Sequence, residues 1–327
     1  MKLSIALVTG GLSGEAEISY LSALNIEKNI DPDRWSHYKI DISPDGWYHQ
    51  PPFGPKVEVD KNDFSITIDE DKITFDAVLI GIHGSPGEDG KLQGYFDMIN
   101  MPYTSCNAAS SALTFNKRYT VAVAAFGGIN VARSVHLFSN DNNSIELITN
   151  KLKLPVFVKP NNGGSSIGMS KVSRESELSV ALVKAFKEDD QVLVEEFISG
   201  REFTIGIYKA KGEIMSLPIT EVISKKEFFD FEAKYQGASE EVTPAKIDES
   251  IAELIRSEAI KAYRMFNCSG VVRIDFIYNS EEAKAFMLEI NTVPGQSEKS
   301  IIPQQVGAAG LTLREFYTSL IEDCLHN

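Results

Sequence analysis

The sequence is poor in the residues that build covalent or metal frameworks. Only three cysteines occur in 327 residues, Cys106, Cys268 and Cys324, and no pair has the C-x-x-C spacing of a zinc or redox motif. An odd count so widely spread argues against a disulfide framework. No apolar run approaches the roughly 18 residues of a membrane-spanning helix, which excludes membrane insertion. The stretch from Met1 to Gly10 is too short for the hydrophobic part of a signal peptide, and it ends at Gly10-Gly11 with no cleavage pattern. Positive charge is in deficit: 32 basic residues face 46 acidic ones, a formal net charge of −14. A field of that sign repels nucleic-acid phosphates, so nucleic acid is excluded as a partner. No G-x-x-x-x-G-K-[ST] phosphate loop is present. The expectation is a reduced, cytoplasmic protein whose basic residues converge only locally on an anionic ligand.

What remains is an ordinary globular composition, 43% hydrophobic and 24% charged, at a length that suggests two or three domains. Leu3 to Val8 is a short apolar run stopped by Thr9-Gly10-Gly11, which reads as a buried parallel strand. Ile18, Leu21, Leu24 and Ile30 then recur at helical spacing until Asp31-Pro32. Ala77 to Ile82 reads as a second strand, running into His83-Gly-Ser-Pro-Gly-Glu-Asp-Gly90, with a helix from about Leu92 to Met98. This alternation indicates an α/β domain with a parallel sheet and ligand-facing loops at the strands' carboxyl ends. From Asn116 the pattern changes to a helix (Lys117 to Phe126) and short strands, including Val156 to Lys159 and Gln191 to Glu196. Longer alternating strands follow Gly200. We therefore expect three domains, at 1–115, 116–199 and 200–327.

The most informative segments are Val271-Val-Arg-Ile-Asp-Phe-Ile-Tyr278 and Ala285-Phe-Met-Leu-Glu-Ile-Asn291. Side chains alternate across a strand, so Arg273 and Asp275 share one face while Ile274 and Phe276 share the other. Glu289 and Asn291 are likewise paired on one face, and Asn279 to Lys284 is short enough to close a hairpin. One sheet face can thus present two carboxylates, an amide and a guanidinium, an oxygen-rich set suited to Mg²⁺. The alternative is an ordinary solvated face with an arginine–carboxylate pair.

A second cluster is Val156-Phe-Val-Lys-Pro-Asn-Asn-Gly-Gly-Ser-Ser-Ile-Gly168. Lys159 closes an apolar strand, and the loop after it offers backbone N–H groups and hydroxyls to a phosphate, or else forms a plain surface turn. Gly164-Ser-Ser-Ile-Gly168 also fits the nucleophile elbow of serine hydrolases. That reading fails because the only later histidine is His326, and Met169 to Val172 looks like strand rather than helix. Thr9-Gly-Gly-Leu-Ser-Gly14 is only part of a dinucleotide fingerprint. Glu15 and Glu17 behind it would repel a pyrophosphate; they suit a ligand ammonium or simply a helix N-terminus. His83 sits in a glycine-rich loop after a strand. Glu232-Ala-Lys-Tyr235 follows the aromatic run Phe228-Phe-Asp-Phe231, which reads as a packed cluster or a lid.

In order along the chain, these segments resemble the D-alanine–D-alanine ligases of the ATP-grasp superfamily. The resemblance rests on Gly10-Gly-Leu-Ser-Gly-Glu-Ala-Glu-Ile-Ser19, the His83 to Gly94 stretch, Val158-Lys-Pro with Gly164 to Ser170, Glu232-Ala-Lys-Tyr235, Arg273-Ile-Asp275 and Leu288-Glu-Ile-Asn-Thr-Val-Pro-Gly295. Each motif alone is weak, whereas six in order are specific. The resemblance implies a three-domain ATP-grasp fold, with an N-terminal parallel-sheet domain and two α+β subdomains that clasp ATP.

The same resemblance implies the roles. Asp275, Glu289 and Asn291 would hold two Mg²⁺ ions, with Mn²⁺ as a substitute and room for a monovalent cation. Lys117 and Lys159 would contact phosphates, with Ser166 and Lys234 also at the nucleotide. Glu195, the backbone near Phe197 and Glu202 would receive adenine and ribose. Glu15 would take the ammonium of the first D-alanine, with Ser165 and Tyr235 closing the site around it and His83 nearby. Arg273 and the Gly295 N–H would line the acyl centre, and Ser300 would hold the carboxylate of the second D-alanine. The implied partners are ATP and two D-alanines, and the implied assembly is a homodimer. Two departures stand out. Phe229 and Phe231 replace tyrosines, and Gln296-Ser-Glu-Lys299 replaces the usual methionine-threonine opening after Pro294-Gly295.

Overall fold

The computed structural model describes residues 2–141, 143–164, 166–224 and 239–326. Ser165, Lys234, Tyr235 and the aromatic run Phe228 to Phe231 lie outside the described residues. The first strand, Leu3–Gly10, is buried from Ile5 onward. It pairs in parallel with Trp35–Ser43 on one side and Ala77–Ile80 on the other. Its unbroken apolar run follows from burial on both faces. Ile5 and Leu7 enter one core with Ala23 and Ile26, whereas Ala6 and Val8 enter another with Ile40, Phe64 and Phe96.

This first sheet is not wholly parallel, which corrects the sequence reading. Beyond Trp35–Ser43 it continues through Gly46–His49 and Val57–Glu58, both paired antiparallel. The cause is local. Ser43 pairs with Gly46 across Pro44-Asp45; proline presets the first turn residue and glycine tolerates the positive φ of 138° that follows.

The second sheet has four strands, in the order Ser170–Val172, Val156–Pro160, Gln191–Glu196 and Ser134–Phe138, with every pairing antiparallel. Helices Ser144–Lys151 and Leu178–Ala185 give it a core through Ile148, Leu178 and Leu182. The third sheet is built on Arg201–Ala210, Val271–Asn279 and Lys284–Asn291. Helix Glu249–Met265 covers one face, setting Ile255, Ala259 and Tyr263 against Ile205, Ile274, Phe276 and Ile290. Full burial of each large aliphatic side chain contributes roughly 1.5–3 kcal/mol. That apolar packing leaves the opposite, polar face to line a cleft. The helix Leu313–His326 returns to the first sheet, where Phe316, Tyr317, Leu320 and Ile321 join the core of Ile5 and Leu7. Among the described residues, no helix is long and apolar enough to cross a membrane.

Candidate active site

The hairpin of the third sheet sets Asp275 opposite Glu289 and Arg273 opposite Asn291. The register then shifts, so that Phe276 faces Met287 and Leu288 is the additional residue. The bulge lets Met287 share the core with Phe276 while Glu289 still faces the cleft. Arg273 Nε and Nη2 donate to Asp275 Oδ1 and Oδ2 at 2.9 and 2.8 Å. Thr204, on the neighbouring strand, donates its hydroxyl to Asp275 Oδ1. Asn291 Nδ2 lies 3.4 Å from Asp275 Oδ2 and 3.3 Å from Glu289 Oε1. Burial opposes the Arg273 charge, but Asp275, Glu289 and Glu88 outweigh it and hold the guanidinium above its ordinary pKa.

These donors fit a hard divalent cation. Asp275 and Glu289 offer carboxylate oxygens, and Asn291 offers an amide oxygen once its side chain is turned, an orientation set only by the hydrogen-bond network. Among the described residues, no third carboxylate, histidine or cysteine completes a cage made of protein alone. Mg²⁺ suits such a partial shell, because it keeps water and phosphate oxygens among its ligands.

The hairpin face forms one wall of a cleft of about 740 Å³. Ten residues singled out from the sequence line it: Glu15, His83, Lys117, Glu202, Arg273, Asp275, Glu289, Asn291, Gly295 and Ser300. Lys159, Ser166, Glu195 and Phe197 belong instead to the second sheet and its loops. Lys159 forms an ion pair with Glu195, and both side chains are largely buried. The Phe197 N–H is given to the Pro155 carbonyl at 3.0 Å, with Lys171 Nζ 4.3 Å from its ring centroid. Ser166 adopts a positive φ of 58° in the glycine-rich loop.

Two loops meet at the inner end of the cleft. Glu15 opens helix Ala16–Asn29, with its carboxylate against two glycines. A methyl group on Gly84 would fall 2.7 Å from Glu15 Oε2, and one on Gly164 would fall 2.9 Å from Oε1. The His83 N–H donates to Ser19 Oγ at 2.9 Å, its ring Nε2 meets Ser22 Oγ at 3.0 Å, and the ring also bonds the Val293 backbone. Burial, reinforced by Arg273, lowers the His83 pKa to about 4, so the imidazole is neutral near pH 7. Ser300 precedes helix Ile301–Ala308, with its Oγ 2.8 Å from Ser297 Oγ.

Sequence reasoning missed Glu88. Its Oε2 accepts the Gly84 N–H at 2.8 Å and its Oε1 the Val293 N–H at 3.3 Å, so one carboxyl braces both loops. Burial, and then the neighbouring Glu15, push its pKa up to about 8. The available signal was an acidic residue inside a glycine-rich loop at the carboxyl end of a parallel strand.

Residues 4–106 match the family described as D-ala D-ala ligase N-terminus, and residues 116–322 match that described as D-ala D-ala ligase C-terminus. The D-alanine–D-alanine ligase of Parabacteroides distasonis is 46% identical, over 100% of this chain and 99% of its own. That of Flavobacterium johnsoniae is 42% identical, over 98% of each chain. Among solved structures, D-alanyl-alanine synthetase A from Vibrio cholerae superposes with a TM-score of 0.89 at 28% identity, covering 100% of this chain and 99% of that one. VanG D-Ala:D-Ser ligase from Enterococcus faecalis gives 0.88 at 30%, covering 98% and 99%. The Bacillus anthracis D-alanine–D-alanine ligase complexed with ATP gives 0.79 at 26%, covering 99% and 98%. The fold is the three-domain ATP-grasp fold of these enzymes, and the chain belongs to the D-alanine–D-alanine ligase family.

Proposed function

We propose that this chain joins two D-alanines into D-alanyl-D-alanine for peptidoglycan synthesis, converting ATP to ADP and phosphate. The observation that carries this reading is the full-length family match, together with a single cleft that holds both Glu15 and the Arg273–Asp275–Glu289–Asn291 face. The relative complexed with ATP supports the nucleotide.

In this reading Glu15 holds the ammonium of the first D-alanine, at the end of the cleft that His83 and Glu88 shape. The first carboxylate attacks the γ-phosphorus, ADP leaves, and an acyl phosphate forms, a step that rests on positioning and charge neutralisation. Lys117 and Lys159 contact phosphates with Ser166 and Lys234 beside them, while Glu195, the Phe197 backbone and Glu202 receive adenine and ribose. Asp275, Glu289 and Asn291 are the residues that would hold two Mg²⁺ ions, or Mn²⁺ in their place, whose bound charge neutralises the phosphates. Ser300 orients the second D-alanine by its carboxylate. Its amine, once deprotonated, attacks the acyl carbon and phosphate leaves, while Arg273 and the Gly295 N–H stabilise the oxyanion. The family resemblance assigns Ser165 and Tyr235, which lie outside the described residues, to closing the site around Glu15 and keeping water from the acyl phosphate.

A monovalent-cation requirement, a homodimer and a cytoplasmic location belong to the same proposal, as does the division at 1–115, 116–199 and 200–327. What supports that division is that each part holds one of the three large sheets.

The test is ADP release by purified protein with Mg-ATP and D-alanine, beside D-serine, D-lactate, L-alanine and no amino acid. We expect release that depends on D-alanine, with the dipeptide detected by mass. Turnover indifferent to D-alanine would overturn the substrate. Glu289→Ala should release no ADP, and normal release would overturn the metal assignment.

A further inference from the structure

Gly295 is held in place from behind. Gln296, next to it, is 5% exposed and does not line the cleft. Its N–H donates to Ser22 Oγ at 3.1 Å, and its carbonyl accepts from Asn25 Nδ2 at 2.7 Å. Its side-chain Oε1 accepts the hydroxyl of Tyr317 at 3.1 Å. Tyr317 is itself buried, with its ring in the core shared by the first strand and the helix Leu313–His326. Ser19, Ser22 and Asn25 recur every three residues on helix Ala16–Asn29, so one helix face grips both the His83 loop and the 293–296 loop. Ser22 Oγ accepts from the Gln296 N–H and also meets His83 Nε2, so one hydroxyl joins the two loops.

A small cavity of about 20 Å³ lies directly behind this loop, bordered by Pro294, Gln296, Tyr317 and Leu320. It has room for about one water molecule. Hydrogen bonds rather than close packing therefore hold the loop from behind: Ser22 and Asn25 fix the Gln296 backbone, and Tyr317 adds the one restraint on its side chain.

We infer that Gln296 and Tyr317 are positioning residues for acyl transfer: the Tyr317 hydroxyl, acting through the Gln296 side chain, sets the direction of the Gly295 N–H. The inference deepens the proposed ligase reading and rests on it. Neither residue touches substrate. The Gly295 N–H matters only when the oxyanion develops, so a misdirected donor slows peptide-bond formation without weakening nucleotide binding. Hydrogen bonds weaken steeply once the donor angle falls below about 120°, so a donor turned that far contributes little.

The test compares Tyr317→Phe, Gln296→Leu and the double variant with the wild-type chain. Tyr317→Phe keeps the ring in the core and removes only the hydroxyl, so it isolates the restraint even where Gln296→Leu folds poorly. Each single variant is expected to lower kcat about tenfold, part of the roughly 10²–10³-fold that a lost oxyanion donor costs. The KM for ATP should not change. The double variant should be no slower than the slower single one, because both remove the same restraint. Affinity for a tetrahedral phosphinate dipeptide analogue should fall in step with kcat, and amide exchange at 295–296 should quicken in Tyr317→Phe. Unchanged kcat and exchange in Tyr317→Phe, or single losses that multiply to about a hundredfold in the double variant, would overturn the inference. Failure of the ligase reading is seen separately, in the D-alanine dependence of the wild-type chain, whereas amide exchange reports the restraint without turnover.

Discussion

Arg273 and Asp275, two residues apart on one strand, lock together through parallel bonds of 2.9 and 2.8 Å. Their side chains are 20% and 11% exposed, so the pair is poorly solvated. Removing one partner of such a pair leaves a charge that neither water nor protein compensates. Asp275→Ala should lower the unfolding free energy by about 3 kcal/mol, measured by urea denaturation, and should abolish ADP release. Wild-type stability in that variant would show that Glu289 suffices to hold the guanidinium.

Glu88 gives the fold a pH dependence. Its carboxyl titrates near the ordinary 4.5 when unfolded and at about 8 in the native state. The native state therefore binds more protons between those values. The stabilisation is complete below 4.5 and is lost as pH rises through 8. Glu88→Gln is neutral throughout and escapes that loss. Its Tm relative to wild type should rise steadily from about pH 5 to about pH 8; a constant difference in thermal scans would sink the assignment.

Gly84 is the residue that lets Glu15 stand where it does. It has a φ of +67°, and a methyl there would meet Ser13 Oγ at 2.5 Å and Glu15 Oε2 at 2.7 Å. Both the backbone and the contact oppose a side chain. Gly84→Ala should displace Glu15 and raise the KM for D-alanine by about tenfold or more, at an unchanged KM for ATP, because about 1.4 kcal/mol of lost contact is a factor of ten. Equal increases for both substrates would point to a general loss of structure.

Lys159 and Glu195 pair across adjacent strands, with side chains 14% and 9% exposed. Lys159→Met leaves the carboxylate buried alone and should cost about 3 kcal/mol. Adding Glu195→Met should recover most of that stability without restoring ATP affinity. Calorimetry with a nucleotide analogue, beside denaturation, separates the two effects, and full ATP affinity in the double variant would remove Lys159 from the nucleotide site.

Much of this arrangement was legible beforehand, and the limits have physical causes. Arg273-Ile-Asp-Phe276 announced both faces of its strand, because alternation is a local property of extended chain. The bulge at Leu288 was not foreseen, since it depends on how Met287 packs against helix Glu249–Met265. The antiparallel extension of the first sheet has its signal in Pro44-Asp45-Gly46, a turn short enough to return the chain beside its own strand. Gln296 could not have been placed. Its grip comes from Asn25 and Ser22, 271 and 274 residues away, and no periodicity records such contacts. Lys159 and Glu195 were singled out separately, but the alternation within each strand says nothing about which partner it meets.

The meeting of the first strand with the helix Leu313–His326 also has a consequence in time. A ribosome adding about 5–20 residues per second reaches that helix roughly 15–60 s after making the first strand. Throughout that interval Ile5, Leu7, Ala77 and Leu79 lack the four side chains that cover them in the finished core. Ala23 and Ile26 cover only part of that face, and apolar surface left open invites association with other nascent chains. The newly made chain thus keeps part of that sheet face open until the helix Leu313–His326 docks.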